Sequence, residues 1–360
     1  MYIKDGQILP PDAAAAQRSH ARWEAIAKPL GSLGRLESAV VKISALTGNE
    51  GAGIDRRALL IFCADNGVVA QGISQAEADV TLRVAQNMAA GKASVCHMAQ
   101  VAQVDLSVVD MGMKNRPQHP GIRDQRIAPG TRDFCRFPAM TRQQAHHAIQ
   151  TGIRLACEKK KEGYSLLMAG EMGIGNTTSS AAVLSVLLGK APQDVTGKGA
   201  GLSDAGWQRK VAVIEQAIAR HAPRPADPLG VLSAVGGFDI AAMTGLYLGA
   251  AMQRIPVLLD GIISLAAALL AVQCHPRSSV AMLASHLSAE PAAAMALQRL
   301  GLEPLICCDM YLGEGSGAVA AVPLLDMAYA VYREMDSFEE VNITPYARHE
   351  HAQHESGATE

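Results

Sequence analysis

The chain has 360 residues, of which 49% are hydrophobic, 18% charged and 4% aromatic, with a formal net charge of −2. That length and apolar share suffice for one large domain and a smaller one with a sizeable core. The near-neutral balance and scarce aromatics argue against a nucleic-acid binder that works through a basic surface or base stacking.

The start, "MYIKDGQILPPD", has no apolar stretch followed by a small-residue cleavage site, so it is not read as a signal peptide. "PDAAAAQRSHARWEAIAKPLGSLGRLESAVVKISALTG" predicts two helical stretches broken by "KPLGSLG". Short β-rich runs follow, each closing on a turn residue or a carboxylate. They are "ALLIFCAD" to Asp65, "VDLSVVDMG" to Gly112, "YSLLMAGE" to Glu171, "GVLSAVGGFD" to Asp239, "IPVLLDG" to Gly261 and the weaker "EPLICCD" to Asp309. Helical patterns follow most of them, at Thr178–Leu188, Ile240–Met252 and Ile262–Val272. Near-continuous apolar strands alternating with helices predict a parallel sheet covered on both faces, an open doubly wound α/β fold. Ligands in such sheets bind beyond the carboxyl ends of the strands, where the acidic residues and glycines of this chain gather.

Residues 115–138, with four prolines, read as a long surface excursion. "IPVLLDGIISLAAALLAVQC" nearly has the length of a membrane span, but Pro256, Asp260 and Gly261 make it strand, turn and helix. Pro323 to about Met335 is again helical, with the proline at a first helical position. The two chain ends are expected to pack together. That divides the chain into a large domain (51–322) and a small helical domain made of 1–50 and 323–345. The polar tail 346–360, with His349, His351 and His354, is expected to be disordered rather than metal-binding. The seven cysteines are odd in number and form no CxxC pair, which predicts reduced core thiols in a cytoplasmic protein.

Three glycine clusters carry the chemistry. In "AGEMGIGNTTSSAAV", Glu171 stands among glycines ahead of a helix start with Asn176 or Thr177 as N-cap. Gly173 and Gly175 would let backbone approach a ligand, and the amides would suit a phosphate. An ordinary tight turn is the equal alternative. A side chain at Gly175 is expected to obstruct that approach and, if φ is positive there, to strain the turn. "TGKGAGL" (Thr196–Leu202) offers backbone amides and Lys198, with Lys210 further along. It fits neither the Walker nor the GxGxxG spacing, so a solvated loop competes with a phosphate site. In "LGEGSGAV", Glu314 lies between Gly313 and Gly315, open to a ligand; desolvation would raise its pKa toward that of a general base. A solvated turn glutamate is the alternative. Asp65, Asp110 and Asp260 share the sheet edge as ligand contacts or helix caps.

These residues carry a resemblance. "KPLGSLGRLE", "CADNGV", "GEMGIGNTT", "VGGFDIAAMTG", "PVLLDG", "SHLSAE" and "LGEGSGA" together resemble the nicotinate-nucleotide–dimethylbenzimidazole phosphoribosyltransferases, from about Lys28 to Tyr332. The resemblance implies a Rossmann-like, mostly parallel large domain, a small helical domain from both chain ends, and a homodimer whose sites are completed by the neighbour. It implies transfer of phosphoribose from nicotinate mononucleotide to a benzimidazole with release of nicotinate, in assembly of the cobalamin nucleotide loop. Glu314 matches the family's catalytic base and Glu171 its second important glutamate. Gly173, Gly175, Asn176, Gly199, Gly201 and Lys210 match its phosphate elements, and Asp260 and Ser74 are taken as further substrate contacts. No metal or cofactor is needed to ionise a pyridinium leaving group. Two departures stand out. Many members have His where this chain has Asn66, and the acceptor-side segment Gln71–Asn87 matches less closely. The same reaction on adenine, another benzimidazole or a phenol therefore stays open, as does a non-catalytic nucleotide-binding protein. An NAD-dependent oxidoreductase is disfavoured by the missing GxGxxG.

Overall fold

The protein is described by a computed structural model covering residues 6–77, 79–199 and 201–346. The described residues form one sheet of six strands: β1 (Arg57–Ala64), β2 (Asp105–Gly112), β3 (Ile122–Asp124), β4 (Leu166–Met172), β5 (Val257–Leu259) and β6 (Met282–Ala284). The order is β3-β2-β1-β4-β5-β6 and every neighbouring pair is parallel. Strand order reverses between β1 and β4, so a crevice opens where Asp65 leaves one strand and Met172 ends the other.

The helices are α1 (Ala13–Ala25), α2 (Arg35–Thr47), α3 (Asp79–Ala89), α4 (Ser94–Val101), α5 (Arg142–Lys161), α6 (Asn176–Leu188) and α7 (Pro192–Val195), then α8 (Asp204–His221), α9 (Pro228–Val235), α10 (Phe238–Met252), α11 (Ile262–Cys274), α12 (Ala293–Leu300) and α13 (Ser316–Glu334). They cover both faces of the sheet, as its apolar strands require. Ala58, Leu60 and Phe62 of β1 share a core with α5, α6, α10 and α11. Leu59, Ile61 and Cys63, pointing the other way, share one with α2, α3, α4 and α13. Among the described residues no helix is long and apolar enough to cross a membrane.

Both chain ends meet on the second face. The Trp23 and Tyr332 rings lie 4.9 Å apart, Arg22 Nη2 donates to the Met335 carbonyl at 2.8 Å, and Ile26 bridges Ser337.

Four expectations change. "GVLSAVGGFD" is not a strand: Asp227 accepts from the Gly230 amide at 3.0 Å, Pro228 takes the first helical turn, and the run becomes α9 followed by the start of α10. "EPLICCD" makes only an isolated parallel bridge, Ile306 to His286. The excursion at 115–138 contains β3. Pro323 lies inside α13, which begins at Ser316 because Asp260 holds its N-terminus. Residues 347–360, including the three tail histidines, lie outside the described residues.

Candidate active site

The β4–α6 turn is built by glycines. A Cβ on Gly173 would sit 2.2 Å from the Ala64 carbonyl, so the ends of β4 and β1 approach this closely only without a side chain. Gly175, at φ +90°, is the N-cap of α6, and no side chain caps that helix. Asn176, expected from sequence as a cap, is instead the first helical residue. Its Nδ2 turns back to donate to Glu171 Oε2 and, at 3.3 Å, to Asp239 Oδ2. A Cβ at Gly175 would meet Val69 Cγ2 at 2.8 Å and Asn66 Cβ at 3.3 Å. A side chain there would press on the loop after β1 and, at this φ, strain the turn, as expected from sequence for a positive φ.

Beside this helix start lies Lys210, a fully buried lysine on α8. Its Nζ donates to Thr177 Oγ1 at 2.9 Å and to the Gly197 carbonyl at 3.1 Å. Burial pulls its pKa down to about 8, against the nearby charge of Glu290. Gly199, at φ +56°, passes so close that a Cβ would lie 3.5 Å from Lys210 Nζ. Gly173, Gly175, Asn176, Thr177, Gly199, Lys210 and Ser74 line a recess of about 100 Å³. An uncapped helix N-terminus beside a buried lysine is a setting that favours an anion. Gly201 is not on its wall; its carbonyl accepts from Gln75 Nε2 at 2.6 Å, tying the two flanking loops together.

The recess opens into a cavity of about 600 Å³. Glu171 and Glu314 face it. Burial, with Asp239 and Asp260 nearby, pushes Glu171 up to about 8, although Asn176 and the Glu314 backbone N–H oppose this. Glu314 stands at φ +63°, a backbone region that costs a non-glycine residue about 1–3 kcal/mol. Two neighbours hold it there. A Cβ on Gly170 would be 2.3 Å from the Glu314 carbonyl, so this peptide lies directly on β4. Asp260, at the end of β5, accepts from the amides of Gly315 (3.1 Å), Gly317 (2.8 Å) and Ala318 (3.2 Å). Asp260 thus caps α13 and sets the Gly313–Gly315 turn, starting the helix well before Pro323. Desolvation raises the Glu314 pKa, with Asp260 adding to it and the Val95 backbone N–H opposing. Glu314 Oε2 is buried with no hydrogen-bond partner among the described residues.

A family model described as phosphoribosyltransferase matches residues 8–343. The nicotinate-nucleotide–dimethylbenzimidazole phosphoribosyltransferase of Ruminiclostridium cellulolyticum is 43% identical over 330 residues, 92% of this chain and 94% of that protein. The chain belongs to this phosphoribosyltransferase family. The similarly named Pseudomonas putida protein is 43% identical over 335 residues, covering 93% of this chain and 95% of its own. Among solved structures, CobT from Thermus thermophilus superposes with a TM-score of 0.88 at 37% identity, over 92% of this chain and 99% of that one.

In this phosphoribosyltransferase the expected residues converge on one site, with Gly201 set back from it and Asp260 acting chiefly through the turn it holds. Asp110 closes its own turn, accepting from Gly112 (2.9 Å) and Met113 (2.8 Å), and Asp65 accepts from the Lys114 amide at 2.6 Å. Asn66 is buried and structural: its Oδ1 accepts from Ser179 Oγ at 3.0 Å, and its Nδ2 donates to the Ile174 carbonyl at 3.4 Å. Sequence reasoning missed Thr177, His286 and Glu290, all on the cavity wall. "SHLSAE" drew attention only through resemblance, since no spacing marked its His or Glu as facing a ligand. Cys307 and Cys308 are exposed, contrary to the expectation of core thiols.

Proposed function

We propose that this chain transfers phosphoribose from nicotinate mononucleotide to 5,6-dimethylbenzimidazole, giving α-ribazole 5′-phosphate and nicotinate. One observation carries the reading. A single cavity has an anion-receiving helix start with a buried lysine at one end, and beside it a buried glutamate, Glu171, linked to the half-buried Glu314 through the Glu314 backbone N–H.

The phosphate sits at the start of α6, against Gly199 and within reach of Lys210, and this anchor fixes the ribose. One benzimidazole nitrogen attacks C1′ from the face opposite nicotinate, inverting the centre. The C1′–pyridinium bond breaks and its electron pair returns to the nicotinate nitrogen. The other benzimidazole nitrogen then loses its proton to Glu314, whose unpartnered Oε2 is ready to receive it. Glu171, protonated in the empty site near neutrality, ionises more readily once a pyridinium cation arrives. Its charge then opposes the positive charge that develops at C1′.

The partner state belongs to the same reading. Residues 6–50 and 323–345 would form the small helical unit of a homodimer, and the exposed Tyr311 and Leu312 at the cavity mouth would be covered by the neighbour. The seven unpaired thiols support a cytoplasmic setting. The test is direct: protein, nicotinate mononucleotide and dimethylbenzimidazole are mixed, and nicotinate is measured by chromatography. Release that depends on the acceptor supports the reading, and no release under any acceptor overturns it.

A further inference from the structure

The proposed reaction uses the two ends of the cavity and leaves one wall without a role. That wall is the segment that follows β6, from His286 to Glu290. At its far end Glu290 reaches the anion loop: its carboxylate accepts from the Gly199 backbone N–H, and a Cβ on Gly197 would collide with Oε2 at 1.7 Å. At its near end His286 packs on α13, where a Cβ on Gly317 would lie 2.0 Å from Nδ1. The segment therefore runs from the phosphate recess to the turn that carries Glu314. A sugar joining a phosphate to a reacting C1′ must lie along it.

The proton on His286 is fixed by its neighbours. Ser285 Oγ lies within hydrogen-bond reach of the Leu259 carbonyl, which can only accept, so the serine proton is committed there. The same Ser285 oxygen is 2.9 Å from His286 Nδ1 and must act as acceptor, which places a hydrogen on Nδ1. Burial lowers the His286 pKa, against the attraction of Asp260, and so favours the neutral ring. Nε2 then carries a bare lone pair. It has no hydrogen-bond partner among the described residues, yet it belongs to the cavity wall. Nε2 and Ser288 Oγ both come within 4 Å of a Cβ built on Gly261, at 3.9 and 3.7 Å, so an acceptor and a hydroxyl converge on one spot of that wall.

We propose that His286 is a specificity-determining residue that accepts a hydrogen bond from a ribose hydroxyl through Nε2, so that the site selects ribosyl over deoxyribosyl phosphates. The inference rests on the proposed function for the identity of the sugar donor. A deoxy sugar would leave this acceptor facing an apolar C–H, and an unpaired buried polar group is costlier than a neutral hydrogen bond is favourable.

The test separates this from a structural role. Wild type and His286→Ala are titrated calorimetrically with ribose 5-phosphate, 2-deoxyribose 5-phosphate and 3-deoxyribose 5-phosphate, and assayed for nicotinate release from the corresponding nucleotides. Wild type should prefer the ribosyl ligand over at least one deoxy ligand by about 10- to 100-fold in Kd and in kcat/KM. In His286→Ala that preference should collapse to within about threefold, with little change for the disfavoured deoxy ligand. His286→Gln, whose amide oxygen can take the place of Nε2, should recover part of it. Equal losses on all sugars would mean that His286 only supports the fold, and overturn the proposal. A wild type that binds the three sugars equally overturns it without any variant. The calorimetry reads His286 even if no acceptor supports turnover, so failure of the function and failure of this inference remain distinguishable.

Discussion

Asp260→Asn tests how the catalytic turn is held. Asp260 takes three backbone N–H groups at the start of α13 and touches the turn on both sides of Ser316. An asparagine can keep its oxygen toward Gly317 and Ala318. Its NH₂ then faces the Gly315 N–H, donor against donor. One charge-assisted bond is lost outright, about 1.5–3 kcal/mol, and two become neutral. Losing a negative charge at a helix N-terminus removes about 0.3–1 kcal/mol more. The variant should therefore be about 3 kcal/mol less stable by urea unfolding, and kcat should fall at least about tenfold as Glu314 leaves its left-handed conformation. A second signature follows from charge. Asp260 raises the pKa of Glu314, and a base must be ionised to work, so the rate rises with pH through that pKa. With Asp260 neutralised, the rising limb of the residual kcat/KM profile should move to lower pH. A stability loss under about 0.5 kcal/mol, or a limb that moves to higher pH, would refute the reasoning.

Two further outcomes follow. Glu171 is held up at about 8 against an ordinary 4.5, so the folded state keeps a proton that the unfolded chain loses between those values. Wild-type stability should then fall as pH rises from about 4.5 to about 8, whereas Glu171→Gln, which cannot titrate, should match wild type near pH 4. By about pH 8 it should be roughly 2–4 kcal/mol more stable, by urea unfolding, while turning over at least about tenfold more slowly. Equal stabilities at that pH would contradict this. Lys210→Met, nearly isosteric and uncharged, should weaken nicotinate mononucleotide by about 10- to 100-fold in calorimetry and leave nicotinate riboside unchanged, because only the phosphate meets the cation. Equal losses for both would remove the phosphate from this recess.

The parts of the fold that the sequence announced are those in which several residues repeat one physical signal. β1, β2 and β4 are long apolar runs that end on Asp, Gly or Glu, and α10 and α11 are apolar nearly all round because both sides are covered. β3 and β6 have three residues each, too few for any periodicity. "GVLSAVGG" is β-rich in composition, and the deciding signal was Asp227–Pro228 just before it, a cap and a first-turn proline. In the site, the flanking glycines marked Glu171 and Glu314 as open to a ligand but left an ordinary turn equally possible; the resemblance singled them out, and both line the cavity. Asp260 was legible as polar, but its partners lie on α13, far away in sequence, and only the fold brings them together. His286 was silent for the same reason, since its tautomer depends on Ser285 and on a carbonyl of another strand.

The central claim is that Glu314 takes the acceptor's proton. Glu314→Gln keeps the shape of the side chain and removes its basicity. It is to be assayed beside wild type for nicotinate release with dimethylbenzimidazole, with product mass identified and nicotinate mononucleotide affinity measured on the same preparation. The account predicts unchanged nucleotide affinity and a turnover lower by about 100-fold or more, roughly 3 kcal/mol of barrier. Turnover close to wild type, with the nucleotide still bound, would contradict it.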